Sequence, residues 1–272
     1  MLIELIRNEP AVLLQNNSRR VLVIADLHIG YERTLVKQEK SQSRLTERLL
    51  HQLDTLVSRI KPTEIIILGD LKHTIRSFST QEFRNIASLL ERLQKTATLT
   101  VVRGNHDADL ELVVPDGATI IPSSGFKLSF DEERIFLLHG HAQPNQEILS
   151  CSHLIIGHFH PTIAIPALKE RKSIHRVWVR TGWQPTILEA LSQWFGHEFI
   201  EEHQNLVAKI LKMKILVIPA FLDLLHGHVL NRFTSREFQG NPIYRYLDFD
   251  MAEIVMLDHT YLGRLQQLQE TK

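Results

Sequence analysis

A chain of 272 residues with 43% hydrophobic and 23% charged residues is long enough to bury a large core, which excludes a disordered or fibrous protein. Lys+Arg and Asp+Glu both number 31, which excludes a global field drawing the chain to nucleic acid or membrane but leaves room for a local basic groove. The one cysteine, Cys151, excludes an internal disulfide framework and reads as a buried thiol in a reducing cytoplasm. The opening MLIELIRNEP carries charges too early for a signal-peptide core, and no apolar run is long enough to span a bilayer. Fifteen histidines, several of them clustered, turn attention to metal or acid–base chemistry.

Residues 2–6 and 11–14, separated by Asn8, Glu9 and Pro10, predict a small hairpin. Residues 21–25 form an uninterrupted apolar strand of the kind buried on both faces, and Asp26-Leu27-His28 follows at once. After Gly30, residues 31–40 begin a short helix. Leu45, Leu49, Leu53, Leu56, Val57 and Ile60 then share one helical face until Pro62. Residues 65–68 are again wholly apolar and end in Gly69-Asp70-Leu71-Lys72-His73. Ser79 and Glu82 form a capping-box pattern ahead of a helix carrying Phe83, Ile86, Ala87, Leu90 and Leu93. Strand 99–102 delivers Arg103-Gly104-Asn105-His106-Asp107. This alternation predicts right-handed crossovers and a mainly parallel sheet, whose ligands gather beyond the carboxyl ends of the strands. Each polar cluster sits there.

After Pro115 the rhythm changes to short strands at about 119–121, 125–130 and 135–138, the last ending in His139-Gly140-His141. Strand 154–156 runs into Gly157-His158-Phe159-His160-Pro161, and strands 163–165 and 174–179 flank a basic tip at 169–172. This half predicts a second sheet packed on the first. Residues 186–211 interrupt it with two expected helices broken at Gly196, read as a helical hairpin over a sheet edge or as a substrate lid. A strand at 215–218, a loop with His226-Gly227-His228, a strand near 253–257 and a short helix after Thr260 complete the chain. Without repeats or a clear linker, residues 1–272 read as one domain with a helical insertion at about 186–211.

Five clusters of Asp, Asn and His, each at a strand end, make chemical sense together. Two divalent cations roughly 3.5–4 Å apart can hold a hydroxide between them and share a phosphoryl group. A carboxylate such as Asp70 can bridge them; Asp26, His28 and His160 reach one ion, and Asn105, His139 and His158 the other. Mixed imidazole and oxygen ligands favour Mn, Fe, Zn, Co or Ni over Mg or Ca, with Mn(II) or Fe(II) the first expectation and Zn(II) close behind. Two divalent ions give +4, and Asp26, Asp70 and the hydroxide give −3, leaving about +1 to receive an anion such as a phosphate ester. His106, beside Asn105, is placed to protonate the leaving oxygen, and Asp107 either orients His106 or caps the next segment.

Asp26-Leu27-His28, Gly69-Asp70, Gly104-Asn105-His106-Asp107, His139-Gly140-His141 and Gly157-His158-Phe159-His160 resemble, in order, the five motifs of calcineurin-like metallophosphoesterases. The resemblance spans about 21–161. It implies an α/β fold, a four-layer α/β/β/α sandwich of two mixed sheets flanked by helices, with a dinuclear site. It also implies His106 as catalytic acid and His139 as the metal ligand of its motif. Ala25–Glu32, Gly69–His73, Leu137–Ala142 and Pro219-Ala220-Phe221 look like the SbcD-related and ligase-associated predicted phosphoesterases, and nuclease-like relatives there point to DNA or RNA. His73, His141 and Arg103 are candidate substrate contacts, as are, more remotely, Glu32, Arg33 and the loop histidines His226 and His228. The leading expectation is a metal-dependent phosphodiesterase or nuclease. A small-molecule phosphomonoesterase or nucleotide phosphatase, and a catalytically retired metal-binding scaffold, are the alternatives.

Overall fold

The computed structural model describes residues 1–35, 39–166, 172–225, 227–232, 238 and 240–269. Strands β1 (Leu2–Leu5) and β2 (Ala11–Gln15) form the antiparallel hairpin, and β2 continues antiparallel into β3 (Arg20–Ile24). Helices α1 (Glu32–Leu35) and α2 (Glu39–Ile60) lead to β4 (Glu64–Leu68), and α3 (Thr80–Thr96) leads to β5 (Thr98–Val102). With β6 (Thr119–Ile121) these strands build a sheet in the order β1-β2-β3-β4-β5-β6, parallel from β3 onward. Ser79 caps α3 as its pattern predicts: its hydroxyl accepts from the Glu82 amide, and the Glu82 carboxylate accepts from the Ser79 amide.

Strands β7 (Phe126–Phe130), β8 (Glu133–Leu138), β9 (His153–Ile156), β10 (Thr162–Pro166) and β11 (Lys172–Thr181) begin the second sheet. Helices α4 (Ile187–Phe195), α5 (His197–Glu202) and α6 (Gln204–Ile210) follow, then β12 (Lys214–Val217), β13 (Glu253–Met256), β14 (Tyr261–Arg264) and α7 (Leu265–Leu268). The order is β14-β13-β11-β12-β9-β8-β7, with β10 paired to β11. Only β12–β9 and β9–β8 are parallel.

Side-chain alternation sorts these elements into layers. Leu22, Ile24, Ile65 and Ile67 pack against Leu53, Leu56, Ile86 and Leu90 of α2 and α3. Their neighbours Val21, Val23, Ile66 and Leu68 turn the other way and meet Ile135, Leu137, Ile155 and Trp178 between the sheets. Phe136, Leu138, Leu154 and Ile156 pack outward against Leu191 and Ile210. The result is helix, sheet, sheet, helix, a four-layer α/β/β/α sandwich of two mixed sheets.

Two sequence expectations need adjustment. Residues after Thr260 form edge strand β14 before any helix, because Tyr261 pairs back onto Val255 across a turn where His259 has φ 73°. Helical periodicity does not register such a pairing. Residues 187–210 hold three helices rather than two, since His203 (φ −117°, ψ 33°) breaks the second half. The basic tip at 169–171 and part of the first expected helix, 36–38, lie outside the described residues. Cys151 is buried, and burial pushes its thiol up to about 11, so it stays protonated at neutral pH. Among the described residues, no helix is long and apolar enough to cross a membrane.

Candidate metal centre

Strands β3, β4, β5, β8 and β9 all end at one rim of the sandwich. Beyond that rim their loops stay stitched together: the Asp26 amide donates to the Gly69 carbonyl (3.2 Å), that of His28 to Asp70 (2.8 Å) and that of Gly157 to His139 (2.9 Å). The His158 amide donates to both Asp26 oxygens at 3.2 and 3.0 Å. Asp26, His28, Asp70, His158 and His160 take φ values of 58°, 42°, 49°, 68° and 48°. Non-glycine residues adopt this left-handed region at a cost, and the hydrogen bonds across the loops hold them there.

Seven predicted ligands converge in two groups. Ligand atoms of Asp26, His28, Asp70 and His160 lie within 4.8 Å of one another, and so do those of Asp70, His139 and His158. Asn105 joins the second group, its side-chain oxygen 3.2 Å from His139 Nε2. Asp70 belongs to both: Oδ2 is 3.4 Å from His28 Nε2, and Oδ1 is 3.4 Å from His139 Nε2. His160 Nε2 lies 3.0 Å from Asp26 Oδ1 and 3.4 Å from His28 Nε2.

The electrostatics suit cations. Burial works against an ionised Asp70, but the neighbouring His139 and His28 together hold it well below the ordinary carboxylate range. Burial carries His158 down to about 3 and His141 to about 4, with His139 adding to both, so each is a neutral imidazole at pH 7. His139 is the exception: burial would lower it, but Asp70 and then Asp26 outweigh burial and raise it to about 9. In the metal-free chain a proton on His139 therefore does what a cation would do. Its Nδ1 faces the Leu68 carbonyl at 2.7 Å, which directs Nε2 at Asp70 and Asn105. The donor set of imidazoles, carboxylates and one amide fits Mn, Fe or Zn ions.

A sign follows for pH. Because His139 is raised above its unfolded value of about 6.5, its contribution to metal-free stability is full below that pH and fades as pH rises through about 9. Metal uptake must displace that proton. Calorimetry in buffers of different ionisation enthalpy should show close to one proton released per chain at pH 7.5, and affinity that rises with pH toward 9.

Glycine shapes the site at Gly104, where a Cβ would land on the amide and carboxylate of Asp70. Gly104→Ala should displace Asp70 and weaken ion binding about 10–100-fold, read by calorimetry.

The remaining candidates separate. His106 lies with Nε2 4.0 Å from Asp70 Oδ2 and its side chain 18% exposed, while its Nδ1 faces the His73 carbonyl. Asp107 does not supply the expected orientation of His106. It is fully buried, and its Oδ1 accepts from the Leu71 and Lys72 amides at 2.9 and 3.3 Å while Oδ2 accepts from Gly104 at 2.9 Å. It ties the β4 loop to the β5 loop. Burial and the Asp70 charge push its carboxyl up to about 6. Arg103 is likewise engaged, donating to the Asp107 carbonyl at 2.9 Å and pairing with Glu111, rather than turned to a substrate.

His73 stands behind His28, the two Nδ1 atoms 3.4 Å apart, and stacks on His106 at 5.6 Å. His141 packs its ring 5.2 Å from His139 and 5.9 Å from His158, and its buried Nδ1 has no hydrogen-bond partner among the described residues. Glu32 is buried and accepts from Thr46 Oγ1. His228 stacks on Phe159 at 4.6 Å. His226 and the Arg33 side chain lie outside the described set.

Three supporting residues carry no sequence signal. The Tyr244 phenol donates to the Gly157 carbonyl, and Asn241 Nδ2 donates to Gly140 at 3.2 Å, so a distant segment braces both histidine loops. The Arg176 guanidinium donates to the Ala220 and Phe221 carbonyls at 2.9 and 2.8 Å, and the Phe221 amide in turn donates to Ala25 beside Asp26. None of the three lies in a motif.

A family model described as calcineurin-like phosphoesterase matches residues 19–231. The crystal structure of nuclease MPE from Pseudomonas putida aligns with a TM-score of 0.54 at 17% identity, covering 94% of this chain and 96% of that one. Yfce, a phosphoesterase from E. coli, aligns with a TM-score of 0.36 at 20% identity, covering 56% and 75%. Comparison with curated proteins gives no match.

Proposed function

The chain belongs to the calcineurin-like phosphoesterase family, and from that premise we propose that it is a dinuclear metal-dependent phosphodiesterase acting on nucleic acid strands, with Mn(II) or Fe(II) as its ions. The observation that carries this reading is Asp70, whose two oxygens face two separate ligand groups while His106 stands beside both and within neither. Asp26, His28, Asp70 and His160 would hold one ion, and Asp70, Asn105, His139 and His158 the other. Two such ions, when bound, supply an activated water near neutral pH and draw charge from the phosphoryl oxygens.

The chain's own groups do the rest. Asp70 and Asp26 set the charge of the site, so that its excess of about +1 suits the single charge of a diester and leaves a monoester's second charge unmatched. The His73 carbonyl accepts a hydrogen bond from His106 Nδ1–H, so when both ring nitrogens carry a proton the one on Nε2 is free to pass to the leaving oxygen. Asp107 holds the β4 and β5 loops together, so that Asp70 and His106 keep their spacing.

Mn-reconstituted protein should hydrolyse bis(p-nitrophenyl) phosphate and single-stranded DNA faster than p-nitrophenyl phosphate or nucleotides. A preference for the monoesters would assign the site to a phosphomonoesterase. Bound metal with no turnover on any ester would assign it to a binding scaffold.

A further inference from the structure

At the other ends of the strands Leu5, Ile155 and Leu216 pack together between the sheets. His153 opens β9 and His158 lies beyond its far end, so the length of this strand separates the metal centre from the opposite end of the sandwich. A cleft of about 490 Å³ opens there, its apolar lining made by Ile3 and Met251 with Leu5, Ile155 and Leu216 beneath.

Register explains what rings the mouth. Ile155, Trp178, Leu216 and Val255 all face the core between the sheets. Strand alternation therefore turns His153, Arg180, Lys214 and Glu253, each two residues away, to that same face. Lys214 stands opposite His153, and Arg180 stands opposite Glu253. Four adjacent strands thus end in one row of ionisable groups above an aliphatic cleft, and all four line it. His153 is engaged by Glu133 at 3.6 Å and by Ser152 Oγ at 3.0 Å. Arg180 and Lys214 are exposed, and neither makes an ion pair among the described residues. Set against Glu253, they leave an excess of about one positive charge.

We propose that this cleft binds a free monoanionic amphiphile, an aliphatic carboxylate of medium chain length. Its head lies on Lys214 and Arg180, and its tail lies along the cleft against Ile3 and Met251, over the buried side chains of Leu5, Ile155 and Leu216. The volume suits a small-molecule site, the lining is aliphatic rather than aromatic, and Glu253 disfavours a second negative charge on the ligand. The site is separate from the metal centre and independent of the phosphodiesterase reading.

The test titrates the full chain with decanoate, using decanol and decyltrimethylammonium as head-group controls. Calorimetry and tryptophan fluorescence follow binding, since Trp178 shares the strand and face of Arg180. Decanoate should saturate at one per chain below its aggregation concentration, and decanol should bind at least about tenfold more weakly. Arg180→Glu or Lys214→Glu should each weaken decanoate about tenfold, and Ile3→Trp should abolish binding by filling the cleft. Thermal melting and Mn stoichiometry should stay at wild-type values in both exposed-site variants. Equal affinity for decanol and decanoate, no saturable binding, or indifference to both charge reversals would overturn the proposal. Two further outcomes would also do so: a dimer that Ile3→Trp dissociates in sedimentation, or protein that pellets with phosphatidylglycerol vesicles yet ignores free decanoate.

Discussion

Replacing His106 with alanine is expected to lower kcat for a phosphodiester about 100- to 10,000-fold while leaving ion binding intact. The expectation rests on what His106 touches. Its backbone amide donates to Asp70 Oδ1 at 2.9 Å, an interaction any side chain preserves, so the substitution leaves Asp70 anchored. Its imidazole is held by the His73 carbonyl and stands outside both four-ligand groups, although its ring nitrogen lies within 4.8 Å of ligand atoms of His28 and His73. Only the proton donor is lost. A general acid matters most when the leaving group is a poor one, so the loss should be large for a nucleotide 3′-oxygen and shrink toward tenfold or less for p-nitrophenolate. Calorimetric titration with Mn(II) should give wild-type stoichiometry. A loss that is the same for both leaving groups would remove His106 from the role of acid.

Asp70→Ala should cost more, on the order of 10⁴-fold or more in kcat/KM, because in the proposed site it would take one ligand from each ion. Both binding events should weaken together, unlike His160→Ala, which should weaken one. The metal-free protein carries its own signature of this change. Asp70 is ionised beside a protonated His139 in a fully buried pair, and removing one partner of such a pair is destabilising by about 3–5 kcal/mol unless the other sheds its charge. Here the survivor can shed it. Without Asp70, the burial that already works against His139 prevails, and its pKa should fall from about 9 toward or below its ordinary value. Histidine NMR titration would read that fall directly. The folded pKa of Asp70 is depressed, so its own stabilising contribution is present above the unfolded value of about 3.9 and lost on acidification. The stability difference between wild type and Asp70→Ala should therefore narrow in acid.

Much of this arrangement is legible in the chain because its cues are local. Residues 21–25 and 65–68 alternate between two cores, and a strand buried on both faces has to read as an unbroken apolar run. Polar residues that follow such runs have one place to go, the rim beyond the sheet, which is why the sequence alone groups Asp26, Asp70, Asn105, His139 and His158. The Ser79–Glu82 cap is legible for the same reason, since its partners lie three residues apart.

What is hidden is non-local. Asp107 reads as a partner for its sequence neighbour His106, yet its oxygens meet amides some 35 residues away in Leu71 and Lys72. The residue that does fix His106 is His73, through a carbonyl, and backbone groups leave no mark on residue type. Tyr244 and Arg176 brace the site from far along the chain and carry no spacing that could flag them. The strand β14 hides because an edge pairing depends on a turn, and its apolar residues also fit a helix.

The most direct measurement is a titration of metal-free protein with Mn(II) while hydrolysis of bis(p-nitrophenyl) phosphate is followed. If Asp70 joins two ions into one site, activity should climb with occupancy and level off at two ions per chain, and Asp70→Ala should stay at background throughout. A plateau at one ion per chain, or full occupancy with no hydrolysis, would contradict the account.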